Sequence, residues 1–353
     1  MSGPGARLTF AALLAVLGTG TLPAQDTPSQ PPLCDDQGPC ADPAALDSAS
    51  LPMTTVAASP DDYVPKPEPA PSPENPTGQS YAVGGGFVLT DHTAPWMAQI
   101  RRPERMTGIT QRRLTWSERH QCSGAVIKPG WVLTAAHCLT DTLDLRGNTA
   151  NIRQLNYRVW LGVKDIGKDR SGTSYRIVGI YHPQSYRAGS YSSDIALVQY
   201  AVDPETDLSR GVRASAIAVD RLPPDKRRFG NDVVHFYGWG KTERDAVSGP
   251  LLFGKAVVAP DDQCKWPSIA ICGLQIAKIG IPGRQSTQCH GDSGGPLVWF
   301  SKRRVPLLIG VVSHNVGKAT CGTQRTAGVF TRASAFVGWI EGVAGPLPPA
   351  PPL

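Results

Sequence analysis

Beyond its first two dozen residues, the sequence has no apolar run long enough to cross a bilayer, which argues against a membrane-spanning helix in the rest of the chain. It has no Cys-x-x-Cys pair and no close cluster of cysteine and histidine at metal-ligand spacing, so we predict neither a metal nor another cofactor. The net charge of +6 over 353 residues is too modest to indicate nucleic-acid binding. What is present is an ordinary hydrophobic content of 41%, enough for one large or two modest cores.

The amino-terminal part has the pattern of an exported protein. Residues 1–24 read as a signal peptide, with Arg7 at its positive end, an apolar core over 8–17 and a cleavage site before Gln25; a soluble helix is the alternative. Residues 25–81 are rich in proline, which predicts an extended pro-segment or a retained linker. The eight cysteines then indicate disulfides. We therefore expect a secreted protein, extracellular or periplasmic, without a stable membrane anchor.

The most informative stretch is residues 289–297, Cys-His-Gly-Asp-Ser-Gly-Gly-Pro-Leu. It places Ser293 between glycines, whose backbone freedom allows peptide N–H groups to face a substrate. A serine hydroxyl is a weak nucleophile unless a base lies within hydrogen-bond reach and a third group orients that base. A lipase-type setting fits poorly, because Pro296 begins a strand-like run where that setting needs a helix. The stretch therefore predicts a histidine and a carboxylate elsewhere in the chain.

Two further motifs supply these partners. His137 follows an apolar run and two small alanines. Asp194 opens a continuous apolar run that indicates a buried strand, where a carboxylate must be hydrogen-bonded or paired. With their order of His, Asp and Ser, the three motifs resemble those of the trypsin-like (chymotrypsin-fold) serine proteases, over about residues 82–345.

The resemblance implies an all-β fold of two packed antiparallel six-stranded β-barrels, with a C-terminal helix over residues 333–343 and the active site in the cleft between the barrels. The short strand-like runs of residues 82–345 agree with an all-β protein. The resemblance also implies a serine endopeptidase, which we expect to be a monomer acting on protein or peptide substrates. The alternatives are a catalytically inactive protease-like binding module and an esterase.

The resemblance assigns a role to each site residue. Ser293 attacks the scissile carbonyl, His137 is the general base and then the acid, and Asp194 orients the imidazole. The backbone N–H groups of Gly291 and Ser293 form the oxyanion hole. The implied disulfides are Cys122–Cys138, Cys264–Cys272 and Cys289–Cys321, which leaves Cys34–Cys40 as a local upstream pair.

An activation step is implied as well. In the family, cleavage exposes a new amino terminus that pairs with the aspartate before the nucleophile, here Asp292. Ala82 is our candidate for the first residue of the processed chain, with Val83 as the alternative. Because Tyr81 replaces the family's Arg or Lys, the activating protease that we expect need not be trypsin-like.

The resemblance places the primary specificity pocket at Thr287, Gln288, Ser313, His314, Asn315 and Gly328. Thr287 stands where members that select Arg or Lys have an aspartate, so no carboxylate is available to pair with a buried cation. Ser313 matches a residue that supports the buried aspartate, Gly328 keeps a wall open and Asn315 narrows the entrance. We therefore predict a neutral, partly polar pocket that takes medium-sized or aromatic side chains.

Two further segments are distinctive, and the first is longer than the family's usual loop. A basic insertion runs from residue 101 to about 120 and contains Arg102, Arg112 and Arg113. By resemblance it flanks the side of the cleft that holds the leaving half of the substrate, which suggests a preference for acidic residues there; a solvated loop is the alternative. Residues 346–353 form a proline-rich tail that we expect to be mobile.

Overall fold

The structure is a computed structural model that describes residues 87–88, 94–105, 113–140, 152, 155–168, 172–189, 191–202, 214–222, 229, 232–242, 244–259, 264, 270–275, 286–316, 321 and 327–352. At 87–88 and 272–275 only the backbone is described. The predicted leader, the proline-rich segment, Cys34, Cys40, Ala82 and Val83 lie outside these residues. Within the described part, no helix has the length and apolar character needed to span a membrane.

Six of the described strands close into an antiparallel barrel. After β1 (Phe87–Val88), which belongs to another sheet, they are β2 (Met97–Arg101), β3 (His120–Lys128), β4 (Trp131–Thr134), β5 (Arg158–Leu161), β6 (Thr173–Tyr181) and β7 (Ala196–Tyr200). Their order around the barrel is β2-β3-β4-β7-β6-β5. Burial alternates along β6, as expected of a strand with one face on a core.

A second ring is formed by strands from the later part of the chain. The strands there are β8 (Ala218–Val219), β9 (Val233–Gly238), β10 (Leu252–Val258), β11 (Ala270–Gln275), β12 (Pro296–Phe300), β13 (Pro306–Asn315) and β14 (Ala327–Arg332). Because β9 pairs with both β10 and β12, the order β9-β10-β11-β14-β13-β12 closes on itself. Strand β1 extends β10, and β8 lies parallel to β13.

The two barrels share one buried apolar cluster, in which Trp96 of the first half meets Tyr237 of the second edge-on at 6.1 Å between ring centroids. A 3₁₀ turn (Ala333–Phe336) follows β14 and continues into a helix over Val337–Ala344, which buries Ile340. The predicted fold of two packed six-stranded antiparallel barrels with a C-terminal helix is confirmed.

Within the residues that the structure describes, two short helices precede that C-terminal one. Helix α1 (Trp116–Arg119) lies inside the predicted insertion and is started by a capping box, in which Thr115 accepts from the Glu118 N–H and the Glu118 carboxylate accepts from the Thr115 N–H. Helix α2 (His137–Thr140) follows β4, and the C-terminal helix is α3. The insertion is therefore partly ordered by local hydrogen bonds rather than being a plain loop.

The beginning of the C-terminal tail is anchored. The Arg221 guanidinium donates to the Leu347 carbonyl at 2.7 Å, and the Leu347 N–H donates to the Glu341 carboxylate at 3.1 Å. Lys128 donates to the carbonyls of Ala344 and Pro346. Because Leu347 is also buried, the expectation of a mobile tail is wrong at its first residues.

Strand register brings the predicted site together. Strands β4 and β7 are neighbours, with Thr134 opposite Ala196, so the residues just after β4 meet those just before β7. His137 follows the one and Asp194 precedes the other. From the second barrel, the Ser293 carbonyl accepts from the Ser123 N–H of β3 at 2.9 Å, which ties the predicted nucleophile loop to the first barrel.

Candidate active site

The imidazole of His137 lies against the carboxylate of Asp194. Nδ1 of His137 is 2.8 Å from Oδ2 of Asp194, and the His137 backbone N–H donates to Oδ1 at 2.9 Å. The Asp194 side chain is fully buried, whereas the His137 side chain is 20% exposed. The ring therefore has one edge fixed in the protein interior and the other directed toward the cleft.

This pairing sets the tautomer of His137. A carboxylate accepts hydrogen bonds, so Nδ1 carries the proton that faces Asp194. In the neutral ring, Nε2 is then left with its lone pair, which is the state that a general base requires.

The second barrel supports the Asp194 carboxylate. Ser313 Oγ on β13 donates to Oδ2 at 2.6 Å, and Thr331 Oγ1 on β14 donates to the Asp194 carbonyl at 2.7 Å. Burial alone raises the pKa of Asp194, but the hydrogen bonds and charge of His137, with the bond from Ser313, outweigh it and hold the pKa below its usual value. Asp194 is thus an ionised carboxylate in a dry site.

The turn into Asp194 is strained. Ser193 is not a glycine, yet its φ is 52°, in the left-handed region that L-residues rarely adopt. Its buried hydroxyl accepts from Ser185 Oγ at 2.9 Å. A conformation of this kind costs on the order of 1 kcal/mol or more and persists only where its surroundings hold it.

Two glycines flank Ser293 in conformations that require them. Gly291 has φ 100° and Gly294 has φ 79°. A Cβ on Gly294 would overlap Thr134 Oγ1 and the Ser123 carbonyl. In the described structure the N–H groups of Gly291 and Ser293 donate to no protein acceptor, so both are available to a ligand oxygen, as expected for an oxyanion hole.

The carbonyl of Gly291 is held from behind by β3. His120 Nε2 lies 2.8 Å from this oxygen, and Ser123 Oγ donates to it at 3.1 Å. Burial lowers the pKa of His120 to about 4, so the ring is neutral; Nε2 donates to Gly291 and Nδ1 accepts from the Gln99 amide at 2.7 Å. These contacts fix the peptide next to the predicted oxyanion hole.

Ser293 and His137 line one cavity of about 590 Å³, on the side of the cleft that the resemblance assigns to the leaving half of a substrate. No hydrogen bond joins the Ser293 hydroxyl to the His137 ring in this structure, and Nε2 lies 3.8 Å from Cys138 Sγ. The fold thus brings His137 and Asp194 into contact and Ser293 to the same cavity, without closing the bond between serine and histidine.

The carboxylate of Asp292 is fully buried and faces backbone only. Oδ1 accepts from the Gly240 N–H and Oδ2 from the Cys289 N–H, both at 2.8 Å. No cation of the described residues lies within ion-pair distance of it. Burial raises the pKa of Asp292 to about 7, although the two backbone hydrogen bonds lower it. Asp292 is therefore a buried acid that has no counter-charge among the described residues.

Polar side chains fill the predicted specificity pocket. Thr287 and Gln288 are buried, and the Gln288 amide N–H₂ donates to the His314 carbonyl. The Asn315 amide N–H₂ donates in turn to the Gln288 carbonyl at 2.8 Å. Gly328 lies against the Gln288 side chain, because a Cβ on this glycine would be 3.1 Å from Gln288 Oε1. The six predicted pocket residues are thus gathered around Gln288 and Ser313.

Disulfides brace the site. Cys122 is bonded to Cys138 beside His137, and Cys289 to Cys321 beside the Ser293 loop. Cys264 is also disulfide-bonded, but the side chain of its expected partner Cys272 lies outside the described residues. The sulfurs of Cys122 and Cys138 lie close to the His137 ring, yet joined in a disulfide they are not thiolate metal ligands.

The basic insertion contributes unevenly to the cavity. Arg102 lines it and donates to the Tyr157 hydroxyl and to the Glu118 carbonyl. Arg113 forms an ion pair with Glu104 and is largely exposed. Arg112 lies outside the described residues. A preference for acidic residues on this side stays a prediction, and it now depends on Arg102 more than on Arg113.

Several residues at the site were not predicted. His120 and Ser123 hold Gly291, and Tyr191 stacks on His314 at 4.3 Å between ring centroids and meets the His137 ring edge-on. The paired glycines of Gly238-Trp239-Gly240 are a signal that could have been used: a Cβ on Gly240 would lie 2.6 Å from both carboxylate oxygens of Asp292.

Comparison with known proteins agrees with this arrangement. Residues 83–340, more than half of the chain, match the sequence profile of the Trypsin family. A trypsin from Squalus acanthias is 28% identical over 260 residues, which covers 73% of this chain and 93% of that protein.

Proposed function

The chain belongs to the trypsin family of serine endopeptidases, and on this premise we propose that it hydrolyses peptide bonds through a triad of Ser293, His137 and Asp194. The observation that carries the proposal is the hydrogen-bonded array behind the cleft, in which Ser313 and His137 both donate to the buried carboxylate of Asp194. Such an array fixes the His137 ring in the state that a general base requires, which binding alone does not need.

In the proposed reaction, the Ser293 oxygen attacks the scissile carbonyl carbon while its proton passes to Nε2 of His137. The N–H groups of Gly291 and Ser293 donate to the oxygen that becomes negative. His137 then gives the proton to the leaving amine as the carbon–nitrogen bond breaks, which leaves an acyl ester on Ser293. Water, deprotonated by His137, hydrolyses the ester, and Asp194 stabilises the imidazolium at each step.

We propose that the protein is made as a zymogen. Ala82 lies within the chain, so its nitrogen is part of a peptide bond until cleavage occurs before it. The new ammonium would supply the charge that the buried Asp292 lacks, which is worth several kcal/mol where a carboxylate is otherwise uncompensated. The family match begins at residue 83, so Val83 stays the alternative first residue.

The remaining proposals concern specificity and location. A neutral primary pocket agrees with Thr287 and Gln288 at its base, since neither offers a charge to an Arg or Lys side chain. Secretion agrees with the disulfides and with the leader-like residues 1–24, and we expect a monomer that an activating protease processes.

The test is covalent labelling of the processed protein with a fluorophosphonate probe, alongside the Ser293→Ala variant. Labelling that requires Ser293, with turnover of peptide substrates, is the expected result. Labelling with ester but no peptide turnover would indicate an esterase. A folded processed protein that neither labels nor turns over either substrate would be a binding module, and the proposal would be wrong.

A further inference from the structure

We propose that Gln288 sets the primary specificity of the enzyme, and that the pocket takes short side chains that donate a hydrogen bond: serine, threonine or asparagine on the acyl side of the scissile bond. This rests on the proposed peptidase function. It keeps the expected neutral pocket for medium-sized side chains but excludes the aromatic side chains that the sequence analysis had also allowed.

The first observation is that Gln288 crosses the pocket. Its amide N–H₂ donates to the His314 carbonyl on β13, and its Oε1 lies against Gly328 on β14. Asn315 and Gly328 are directly paired across these two strands, and the Gln288 side chain lies over that pair. Gln288 is only 3% exposed. A side chain held in this way occupies the depth that an aromatic ring or a long aliphatic chain would need.

The orientation of both amides is fixed by their partners. The His314 carbonyl can only accept, so the nitrogen end of the Gln288 amide faces it and the oxygen end faces Gly328. The Asn315 side-chain nitrogen likewise faces the backbone carbonyl of Gln288, so the Asn315 side-chain oxygen is turned away from that carbonyl. Neither side chain could be reversed without placing two carbonyl oxygens against each other.

The second observation is that both amide oxygens lack a donor. Gln288 Oε1 and Asn315 Oδ1 are buried and accept no hydrogen bond in the described structure. A buried acceptor without a partner is unfavourable by about 1–3 kcal/mol. A substrate side chain with a hydroxyl or an amide N–H₂ could donate a hydrogen bond to these oxygens and remove that cost. An aliphatic side chain of similar shape would leave both oxygens unpaired.

The shape and chemistry together select the substrate. Phenylalanine, arginine and lysine are too long to lie beside Gln288, and the pocket residues offer a cation no carboxylate. Valine and leucine have the same branched shapes as threonine and asparagine but donate nothing. A site built to hydrogen-bond a substrate group discriminates strongly against an isostere that lacks it.

The experiment compares kcat/KM of the processed enzyme for peptides that differ only at this residue, in the isosteric pairs Thr/Val and Asn/Leu, with Phe and Arg as long probes. Each rate is referred to the amount of serine that a fluorophosphonate probe labels. We expect Thr over Val and Asn over Leu by at least about tenfold, equal to about 1.4 kcal/mol, and slower cleavage after Phe and Arg.

Two variants test separately the hydrogen-bond acceptor of Gln288 and the space that its side chain occupies. Gln288→Met keeps the length and removes Oε1, so the Thr/Val ratio should fall toward one while Phe stays excluded; Asn315 Oδ1 is the acceptor that remains. Gln288→Ala removes the bridge itself, so cleavage after Phe should rise by about tenfold or more relative to Thr. Gln199→Met, on β7 of the first barrel, is the matched control and should change neither ratio.

A wild-type Thr/Val ratio near one, or a preference for Phe or Arg, overturns the inference, as does a ratio that survives Gln288→Met. In each of these cases labelled Ser293 still turns over peptide, so the proposed function stands. If no peptide is cleaved and no serine is labelled, the proposed function itself fails.

Discussion

Two buried aspartates of this protein differ in what surrounds them. Asp194 and Asp292 are both fully inaccessible to solvent, and each accepts hydrogen bonds at both carboxylate oxygens. The pKa of Asp194 nevertheless lies below its usual value, whereas that of Asp292 is raised to about 7. Depth of burial therefore does not decide the charge of a carboxyl group here.

The difference lies in the donors. Asp194 faces an imidazole, which can share or carry a positive charge, and a hydroxyl at 2.6 Å. Asp292 faces two peptide N–H groups, which stabilise its anion less than its burial opposes it. Asp194 thus has a partner that can carry a positive charge. Among the described residues Asp292 has none, and the proposed amino terminus would supply it. Substitutions at or beside each of the two carboxylates therefore test this difference.

The largest effect is expected from Asp194→Asn in the processed enzyme. An amide nitrogen facing Nδ1 would make Nδ1 the acceptor and move the ring proton to Nε2, where it blocks proton transfer from Ser293. We expect kcat to fall by roughly 10⁴-fold with little change in fold. The measurement is peptide turnover at neutral pH, with Asp232→Asn as the control for loss of a carboxylate elsewhere. A loss below about tenfold would contradict the assigned role.

The next effect concerns the stability of the unprocessed chain. Folding raises the pKa of Asp292 from 3.8 to about 7. At a pH between these two values, the folded state therefore keeps a proton on Asp292 that the unfolded state has lost. The Asp292 contribution to the free energy of unfolding therefore falls as pH rises from about 4 to about 7. At about 1.4 kcal/mol per pKa unit, the total is on the order of 4 kcal/mol.

Three histidines, of which His120 is buried and His235 and His314 are half-buried, act in the opposite direction. His120, His235 and His314 have pKa values lowered from 6.5 to about 4, so they favour the folded state as pH rises through that interval. The test therefore compares two unprocessed proteins, the single variant Ser293→Ala and the double variant Ser293→Ala/Asp292→Asn. The measurement is the difference between their free energies of unfolding in urea, as a function of pH. Asp245→Asn, at an exposed carboxylate, is the control. A difference that does not change with pH would show that Asp292 has an ordinary pKa.

The sequence predicted the short strands and brought out His137, Asp194 and Ser293 because each depends on a short stretch, whereas the arrangement of the strands in two barrels was implied by the family resemblance. A strand can be recognised from the alternating or continuous apolar pattern of a few neighbouring residues. Asp194 was identified by opening such a run, and Ser293 by its glycines. Features of this kind are visible without knowledge of what lies opposite them.

What the sequence did not predict depends on strand order. His120 contacts Gly291 across 171 residues, and Arg221 contacts Leu347 across 126. Gln288 crosses to Gly328 only because β13 and β14 are paired. Such contacts follow from tertiary register. The exception is α1, whose capping residues Thr115 and Glu118 are three apart and could have been recognised.

A smaller effect is expected from Ser313→Ala, which removes the hydroxyl that donates to the Asp194 carboxylate. A hydrogen bond to a charged group is worth about 1.5–3 kcal/mol, and its loss should raise the pKa of Asp194. Since the stability from a lowered carboxyl pKa is lost as pH falls through that pKa, acid unfolding should begin at a higher pH. Ser174→Ala on β6 is the control, and an unchanged acid transition would contradict the prediction.

The smallest effect is expected from Thr331→Val, a change that keeps the shape of the side chain. Thr331 donates to the Asp194 backbone carbonyl at 2.7 Å, so it holds the position of this residue but does not contact its charge. We expect a loss of about 1 kcal/mol in the free energy of unfolding, with no shift in the pH of the acid transition. Comparison with Ser313→Ala then separates two ways of supporting one residue. If both variants moved the acid transition equally, the low pKa of Asp194 would come from its placement by the second barrel, and the hydroxyl bond to its carboxylate would add nothing.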